Sequence, residues 1–358
     1  MTRFENTANN TPPFFSICVP QHNRTSFLIE LIESCVSQSF KAIEFCISDG
    51  GSTDGRTAEL VAYLQATGYR FTLERSVHNL PYDRNLRAAI GLASGRYIVL
   101  MGNDDVFNGD DALQRLHDDI ESSSFPGVII SDYCDYRSGA RAFRIRKSER
   151  FRASPRVAAM HFRNFSFVSG IAMDRERAQA LGTDAWDGSE MYQTFIGCRM
   201  IAAGKDLLER DHQLVRKDVQ ISGESVDSFA TKPVVSPCPL VTRKLPLCEL
   251  ANLVSDAIAP FVSAGDQKQL NLLIVLQLIG LTYPGWLFQY RQVQSWKYAA
   301  GIAMGMRPSI TATMPLAWHG RLMANMVFSA VTLGGLTIPN TAFSTARASL
   351  YRFAKWIR

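Results

Sequence analysis

The first half of the chain alternates short apolar runs with segments whose apolar residues recur at helical spacing. FFSICVP (14–20), IEFCIS (43–48), YRFTLER (69–75) and RYIVLM (96–101) are rich in strand-forming residues, whereas RNLRAAIGLA (84–93) has helical periodicity. Strands that alternate with helices usually form a sheet covered on both faces. The pattern therefore predicts an α/β fold with a mixed, mostly parallel sheet flanked by helices.

The last third of the chain is apolar and has helical periodicity. Residues 269–290 form a stretch of 22 residues without a charge, which is long enough to span a bilayer. Pro284-Gly285 is expected to break this stretch, and Gly334-Gly335 and Pro339 are expected to interrupt the uncharged stretch 322–346. We therefore expect buried or interfacial helices, with ordinary helix packing or a dimer interface as the alternative.

These changes in pattern divide the chain into four parts. Residues 1–13 are polar and are expected to be a flexible N-terminus. Residues 14–230 are predicted to form the α/β domain, and the proline-rich 231–240 reads as a linker. Residues 241–358 are predicted to form a helical, basic region that associates with a membrane surface.

Composition and charge narrow the class of protein. The chain is 46% hydrophobic and 20% charged, which is typical of a folded protein. No acidic residue follows Asp266, and this favours a membrane-surface contact over nucleic-acid binding. The seven cysteines include no CxxC pair and the N-terminus has no segment of signal-peptide type, so we expect reduced thiols and a cytoplasmic location at the inner face of the cell membrane.

Three polar clusters follow predicted strands. They occupy residues 20–24, 49–54 and 102–105. Each alone could be a capped turn, because Asp, Asn, Gly and Ser dominate turns, and 52–54 also offers a helix N-cap that favours anionic groups. In parallel sheets ligands bind beyond the carboxyl ends of the strands, so three clusters at one edge favour a binding site for a polar ligand.

The segments FSICVPQHNR, ISDGGSTDGRT and DRNLRAAIGLASGRYIVLMGNDD resemble the first half of family 2 glycosyltransferases with the GT-A fold. The resemblance is close over residues 14–110 and looser to about residue 225. It implies inverting transfer of a sugar from a nucleotide-diphosphate donor to a saccharide or lipid-linked saccharide acceptor, as in bacterial surface-polysaccharide synthesis. Homo-oligomers are compatible with it.

The resemblance implies a donor site made of specific residues. Asp49 would hydrogen-bond the nucleotide base, and Pro20 and Asn23 would line the same pocket. Arg84 and Asn85 would lie near the base and ribose, although a solvated helix-start arginine is the alternative for Arg84. The full set of predicted donor-site residues is Pro20, Asn23, Asp49, Ser52, Asp54, Arg84, Asn85, Asn103 and Asp104.

The metal-binding signature of the family corresponds to the sequence GNDD. Gly102 or Asn103 stands where the first aspartate is usual, and Asp104 and Asp105 remain. Carboxylate oxygens suit Mg²⁺ or Mn²⁺, which sugar diphosphates help to hold. The resemblance therefore implies a divalent metal at Asp104 and Asp105, with less negative charge than a full DxD would supply.

The resemblance implies a general base at the start of a helix, in DAWDGSEMYQTFIGCRMIAAGKDLL. Glu190 is the base candidate, with Asp187 and Asp184 as alternatives, because the usual Glu-Asp pair is absent. Glu190 could instead stabilise the first turn of its helix. Arg216 and Lys217 could neutralise the diphosphate, with a solvated face as the alternative.

Two other functions fit parts of the pattern. A nucleotidyltransferase would share the sheet and the metal, but it would usually show a glycine-rich phosphate loop near the N-terminus, which this sequence lacks. A non-catalytic, nucleotide-binding scaffold at the membrane would explain the incomplete DxD and the missing Glu-Asp pair.

Overall fold

The structure is a computed structural model that describes residues 1–7, 12–224, 247–293, 296–343 and 345. The predicted linker 231–240 lies outside these residues.

The chain forms two compact units. The first contains Met1–Ser154 and Arg163–Ser228, and the second contains Pro155–Phe162 and Phe229–Arg358.

A ten-stranded mixed sheet forms the centre of the first unit. Its strands are β1 (Thr2–Asn6), β2 (Phe15–Gln21), β3 (Ile43–Asp49), β4 (Arg70–Arg75), β5 (Tyr97–Leu100), β6 (Val106–Phe107), β7 (Val128–Asp135), β8 (Glu149–Phe151), β9 (Ile171–Asp174) and β10 (Leu207–Lys217). They run in the order β1-β4-β3-β2-β5-β9-β7-β10-β6, and β8 pairs with β10. This confirms the predicted mixed α/β sheet. Parallel pairing is confined to β4-β3-β2-β5 and to β7-β10, and the other pairs are antiparallel.

Helices cover the sheet. Those of the first unit are α1 (Thr25–Val36), α2 (Thr57–Thr67), α3 (Tyr82–Gly91), α4 (Ala112–Ser122), α6 (Arg175–Ala180) and α7 (Tyr192–Ala202), and α5 (Pro155–His161) belongs to the second unit. All seven residues of β3 are buried, including the polar Glu44, Ser48 and Asp49, as expected for a central strand covered on both faces. In α1 the buried positions Phe27, Leu28, Leu31 and Ile32 form one stripe, because residues three and four apart share a helix face.

The prediction of a flexible N-terminus is wrong for its first residues. Thr2–Asn6 forms β1, which pairs antiparallel with β4 at the edge of the sheet. Phe4 packs against the core, and Arg3 lies 3.3 Å from the Glu74 carboxylate. The segment is too short and polar to show a pattern, but the free backbone groups of an edge strand provide pairing partners for it.

The second unit is helical. After α5 it contains α8 (Glu249–Ile258), α9 (Ala264–Gln277), α10 (Tyr283–Val293), α11 (Trp296–Gly305), α12 (Pro308–Thr311) and α13 (Trp318–Thr337). Of the residues described, one continuous helical segment, Ala264–Gln292, has the length and hydropathy needed to cross a membrane, and 44% of its most apolar window is buried.

The breaks predicted at Pro284-Gly285 and at Gly334-Gly335 do not occur, whereas α13 ends at Thr337, before Pro339, as expected. A π-helical turn, Leu278–Thr282, joins α9 to α10, and the N–H of Tyr283 donates to the carbonyl of Leu278. Such a wider turn accommodates the missing N–H of Pro284 without ending the helix. Helix α13 also continues through Gly334 and Gly335.

Gly197 packs against an aromatic ring, which leads to a stability prediction. A Cβ atom at this position of α7 would lie 2.1 Å from Cε1 of the fully buried Phe165. We expect Gly197→Ala to lower the free energy of unfolding by about 1–3 kcal/mol because the ring has to shift. Thermal unfolding measures this, with Gly91→Ala as the control, since no atom lies within 4 Å of that Cβ. An unchanged melting temperature for Gly197→Ala would contradict the prediction.

Candidate active site

Gln21 joins the loops at the carboxyl ends of β2, β3 and β5. Its side chain is 1% exposed. Its backbone carbonyl accepts hydrogen bonds from the N–H of Gly50 and from Nδ2 of Asn85, both at 2.8 Å. Its Oε1 accepts from Nδ2 of Asn103 at 2.8 Å, and its Nε2 donates to the carbonyl of Asn23. The three predicted polar clusters therefore meet around one buried amide.

Asp49 organises the loop that follows β3. Its carboxylate is 2% exposed, and Oδ1 accepts from both the N–H (2.8 Å) and the hydroxyl (2.6 Å) of Ser52. Arg75 places Nε 3.4 Å from Oδ2. Gly51 has φ +80°, and a Cβ there would lie 2.7 Å from the carbonyl oxygen of His78, so the loop requires glycine at this position.

Asn23 ties the β2 loop to the β3 loop. It adopts a left-handed conformation with φ 53°. Its N–H donates to Oγ of Ser52 and its Oδ1 accepts from the N–H of Thr53, both at 2.7 Å. Pro20 is the β2 residue paired with Ser48 of β3.

Asp54 supports a turn rather than the predicted side-chain cap. Its carboxylate accepts from the hydroxyl of Thr25 at 2.7 Å and from the N–H of Arg56 at 3.2 Å. Burial opposes ionisation of Asp54, but these two hydrogen bonds hold its pKa below the usual value. Helix α2 has Arg56 as its N-cap residue, without a side-chain cap. The cap predicted from Ser52-Thr53-Asp54 is therefore wrong, because Ser52 bonds to Asp49 and Asn23, and Asp54 bonds to Thr25 and to the N–H of Arg56.

The loop after β5 contains a buried and a half-buried aspartate. Asp105 is 3% exposed, and its oxygens accept from the Ser169 hydroxyl (2.5 Å) and the Asp218 N–H (3.0 Å). Burial and the neighbouring Asp104 raise the pKa of the Asp105 carboxyl. Asp104 is the more exposed carboxylate, and its Oδ2 accepts from Nη1 of Arg24 at 3.0 Å.

This geometry changes the predicted metal site. In the part of the chain that is described, no group of three or more His, Cys, Asp or Glu residues could hold a metal ion. Asp105 is buried and both of its oxygens accept protein hydrogen bonds, whereas Asp104 is the more exposed of the two carboxylates. The donor set fits a hard cation held by Asp104 alone together with the phosphates of a substrate, which is common for Mg²⁺.

Arg84 and Asn85 begin α3 at the same edge. Arg84 is exposed, whereas Asn85 is 3% exposed. Nδ2 of Asn85 bonds to Gln21, but its buried Oδ1 has no hydrogen-bond partner. A buried acceptor without a partner is costly, so this oxygen is a suitable contact for a ligand that donates a hydrogen bond.

Arg216 and Lys217 both have protein partners. Nη2 of Arg216 donates to the carbonyl of Tyr136 at 2.9 Å, and its guanidinium lies 4.4 Å from the centre of the Tyr136 ring. Lys217 forms an ion pair with Asp218. The end of β10 nevertheless lies beside the Asp104 loop, because the N–H of Val219 donates to the Asp104 carbonyl at 2.9 Å.

Asp83 holds the loop that carries Glu190. Its Oδ2 accepts from the N–H groups of Gly188 (2.9 Å) and Glu190 (2.7 Å), and its Oδ1 accepts from the N–H of Tyr192 (2.9 Å). Glu190 has φ 60°, a conformation that non-glycine residues rarely adopt. Burial raises the pKa of the Asp83 carboxyl to about 6. Asp83 was not among the residues predicted for the site, and its only signal in the sequence is an acidic residue directly before Arg84-Asn85.

The two alternative bases are arranged differently. Asp187 forms an ion pair with Arg87, with 2.6 Å between Oδ2 and Nη2. Asp184 is exposed, and its carbonyl accepts from the Asp187 N–H in a turn. Asp184 also lines a cavity of about 380 Å³ together with Arg87 and Tyr192. Of the three candidate bases, Glu190 is the residue whose backbone N–H bonds to Asp83.

The fold and the site define a kind of binding site. Polar loops at the carboxyl ends of a parallel block of strands are where α/β proteins bind polar ligands.

Comparison with known proteins finds a family match for part of the chain. Residues 16–173 match the model of Glycosyl transferase family 2. Abequosyltransferase RfbV of Salmonella typhimurium is 28% identical over 237 residues, which are 61% of this chain and 68% of that protein. Residues 16–173 are therefore similar to family 2 glycosyltransferases.

Two solved structures are similar in fold. Staphylococcus aureus TarS 1–349 in complex with UDP-GlcNAc has a TM-score of 0.59 at 14% identity, over 89% of this chain and 90% of that one. The mannosyltransferase PcManGT from Pyrobaculum calidifontis, in complex with GDP-Man and Mn²⁺, has a TM-score of 0.51 at 16% identity, over 92% and 88%. These likenesses confirm the predicted GT-A fold.

Proposed function

We propose that this glycosyltransferase moves a sugar, with inversion, from a nucleotide-diphosphate donor to a hydroxyl of a lipid-linked saccharide in cell-surface polysaccharide synthesis. The observation that carries the proposal is the junction at Gln21, which brings the loops after β2, β3 and β5 to one edge. The abequosyltransferase relative supports a role in surface saccharides, and the free, buried cysteines among the described residues fit a cytoplasmic location.

The donor would bind across this edge. Asp49 and Ser52 would present the β3 loop to the base, and the glycines beside them would let the ligand approach the backbone. The unpartnered Oδ1 of Asn85 would accept a hydrogen bond from the base or the ribose. Asn103, whose side-chain amide is held by a hydrogen bond to Gln21, would contact the donor near its ribose.

The diphosphate would lie near Asp104. A divalent cation bound there with the phosphates would offset the charge that develops on the leaving group. Arg24, whose guanidinium lies 3.0 Å from Oδ2 of Asp104, would supply positive charge there, whereas Arg216 and Lys217 have other partners. Asp105 would act indirectly by fixing the loop through Ser169 and Asp218.

Glu190 would act as the general base. It would take the proton of the acceptor hydroxyl while the acceptor oxygen forms a bond to the anomeric carbon. The bond from that carbon to the diphosphate oxygen would break, and the nucleoside diphosphate would leave with the electron pair. Attack opposite the leaving group inverts the anomeric centre.

The donor site is tested by thermal stability against a panel of nucleoside diphosphates and their sugars, with and without Mn²⁺. We expect one nucleotide to raise the melting temperature in a metal-dependent way, because a ligand of the native state stabilises it by mass action. Asp104→Ala should abolish the metal dependence. Asp118→Ala, which removes an exposed carboxylate of α4, is the matched control and should leave it intact.

Two outcomes would contradict parts of this proposal. A shift that does not depend on metal would overturn the metal role of Asp104 and keep the nucleotide site. No shift with any nucleotide would overturn the donor site and favour the scaffold function.

A further inference from the structure

Helix α13 presents an apolar face to solvent. Trp318, Leu322, Met326 and Leu333 are 77%, 55%, 63% and 66% exposed. They are spaced by four, four and seven residues. Residues four apart are about one helical turn apart and residues seven apart are about two turns apart, so all four side chains lie on one side of the helix. Four large apolar side chains in one exposed row are unusual on a soluble surface and mark an interaction site.

The opposite side of α13 is already packed within its own unit. Ala324 and Phe328 are buried, and the Phe328 ring stacks on Tyr283 with 5.1 Å between centroids. The Tyr283 hydroxyl lies 3.0 Å from Oγ1 of Thr332. At the C-terminal end of the helix, Arg291 donates to the carbonyls of Gly335 and Ile338. The helix is therefore held in place with its apolar row outward.

Charge and aromatic residues show what this face fits. No acidic residue follows Asp266, while nine Lys and Arg residues do, so this part of the chain is attracted to anionic surfaces. Arg321, between Trp318 and Leu322, is exposed. A second tryptophan, Trp296, is 54% exposed and donates from Nε1 to the carbonyl of Leu336, near the other end of α13. Trp318 and Leu336 are about 27 Å apart along the helix at 1.5 Å per residue.

We propose that α13 lies in the interface of an anionic phospholipid bilayer, parallel to its plane, with the row of Trp318, Leu322, Met326 and Leu333 inserted among the acyl chains. Tryptophans at the two ends and basic residues without acidic neighbours are features of helices that bind at this depth. A second copy of the chain fits less well, because it would bring two acid-free, basic segments together. The inference does not depend on the transfer reaction.

Binding of the full chain to vesicles tests the proposal. Vesicles of phosphatidylglycerol and phosphatidylcholine are compared with phosphatidylcholine alone in a flotation assay. We expect binding to the anionic vesicles that weakens with salt. Leu322→Gln with Met326→Gln should lower the partition coefficient at least about tenfold, since each loses the transfer of a large apolar side chain out of water. Val77→Gln, which replaces an apolar residue 76% exposed in the first unit, is the matched control and should leave binding unchanged.

A second measurement reads the position of the helix directly. Brominated lipids should quench tryptophan fluorescence, and Trp318→Phe should remove a large part of that quenching while binding persists. Absence of vesicle binding, or binding that the double variant leaves unchanged, would overturn the proposal. It would also be overturned if the wild-type chain formed an oligomer that the double variant dissociates, without binding vesicles. The nucleotide panel tests the donor site separately, so the two failures can be told apart.

Discussion

Glu190→Gln is expected to lower the rate of sugar transfer by roughly 10²–10⁴-fold, which is the usual contribution of general acid–base catalysis. Glutamine keeps the size of the side chain and leaves the backbone N–H that donates to Asp83 unchanged. The loop should therefore keep its conformation while the side chain can no longer take the acceptor proton. Single-turnover kinetics with a saturating donor measure the chemical step, and the nucleotide-induced rise in melting temperature should match that of the wild type.

Asp187→Asn and Asp184→Asn are the matched controls for this variant. Asp187 is paired with Arg87 and Asp184 is exposed in the preceding turn, so each should reduce transfer far less than Glu190→Gln. If Asp187→Asn caused the large loss and Glu190→Gln did not, the base would have to be assigned to Asp187. If none of the three reduced transfer, the acceptor itself would have to supply its base.

The sequence was sufficient for the features that depend on local pattern. The buried strands were recognisable because β2 and β3 are short runs rich in apolar, strand-forming residues, and the loop at Asp49 was recognisable because glycine and small polar residues interrupt that pattern. Parallel strands then require the loops after β2, β3 and β5 to lie at one edge. The antiparallel entry of β9 between β5 and β7 was not predictable, because register across distant segments leaves no periodic signal.

Residues that act through tertiary contacts were missed for a physical reason. Gln21 was noted only as part of a polar turn, and its role follows from partners up to 82 positions away in the chain. The hydrogen bonds that hold the buried Asp105 carboxylate come from Ser169 and Asp218, which lie in two other loops. The pattern of GNDD alone therefore suggested two equivalent ligands, whereas burial makes the two aspartates different.

Asp83→Asn is expected to reduce transfer by up to about 10²-fold while nucleotide binding is retained, because small displacements of a catalytic group have effects of this size. The carboxylate of Asp83 accepts three N–H groups of the Glu190 loop through both of its oxygens. Asparagine has one oxygen, so its NH₂ group must face at least one of these donors. The strained conformation of Glu190 would then lose its support, and the base would be held less well.

Asp132→Asn separates this positioning effect from a general loss of stability. Asp132 is also fully buried and accepts hydrogen bonds from Arg141 and from the N–H of Arg144, but it does not contact the Glu190 loop. Both variants should lower the melting temperature, whereas only Asp83→Asn should lower the rate at temperatures where each protein is folded. Equal losses of rate in the two variants would show that Asp83 contributes stability alone.

The pH dependence gives Asp83 a second signature. Burial raises the pKa of Asp83 to about 6 in the folded protein, above its pKa in the unfolded chain. The contribution of Asp83 to the free energy of unfolding is therefore complete below the pKa of the unfolded state, and it is lost as the pH rises through about 6. Protonation removes an acceptor from the loop, so transfer should fall below about pH 6 even as this contribution to stability grows. In Asp83→Asn the melting temperature should depend less on pH between about 4 and 6 than in the wild type. A melting curve whose pH dependence is unchanged by the substitution would show that Asp83 does not titrate in this range.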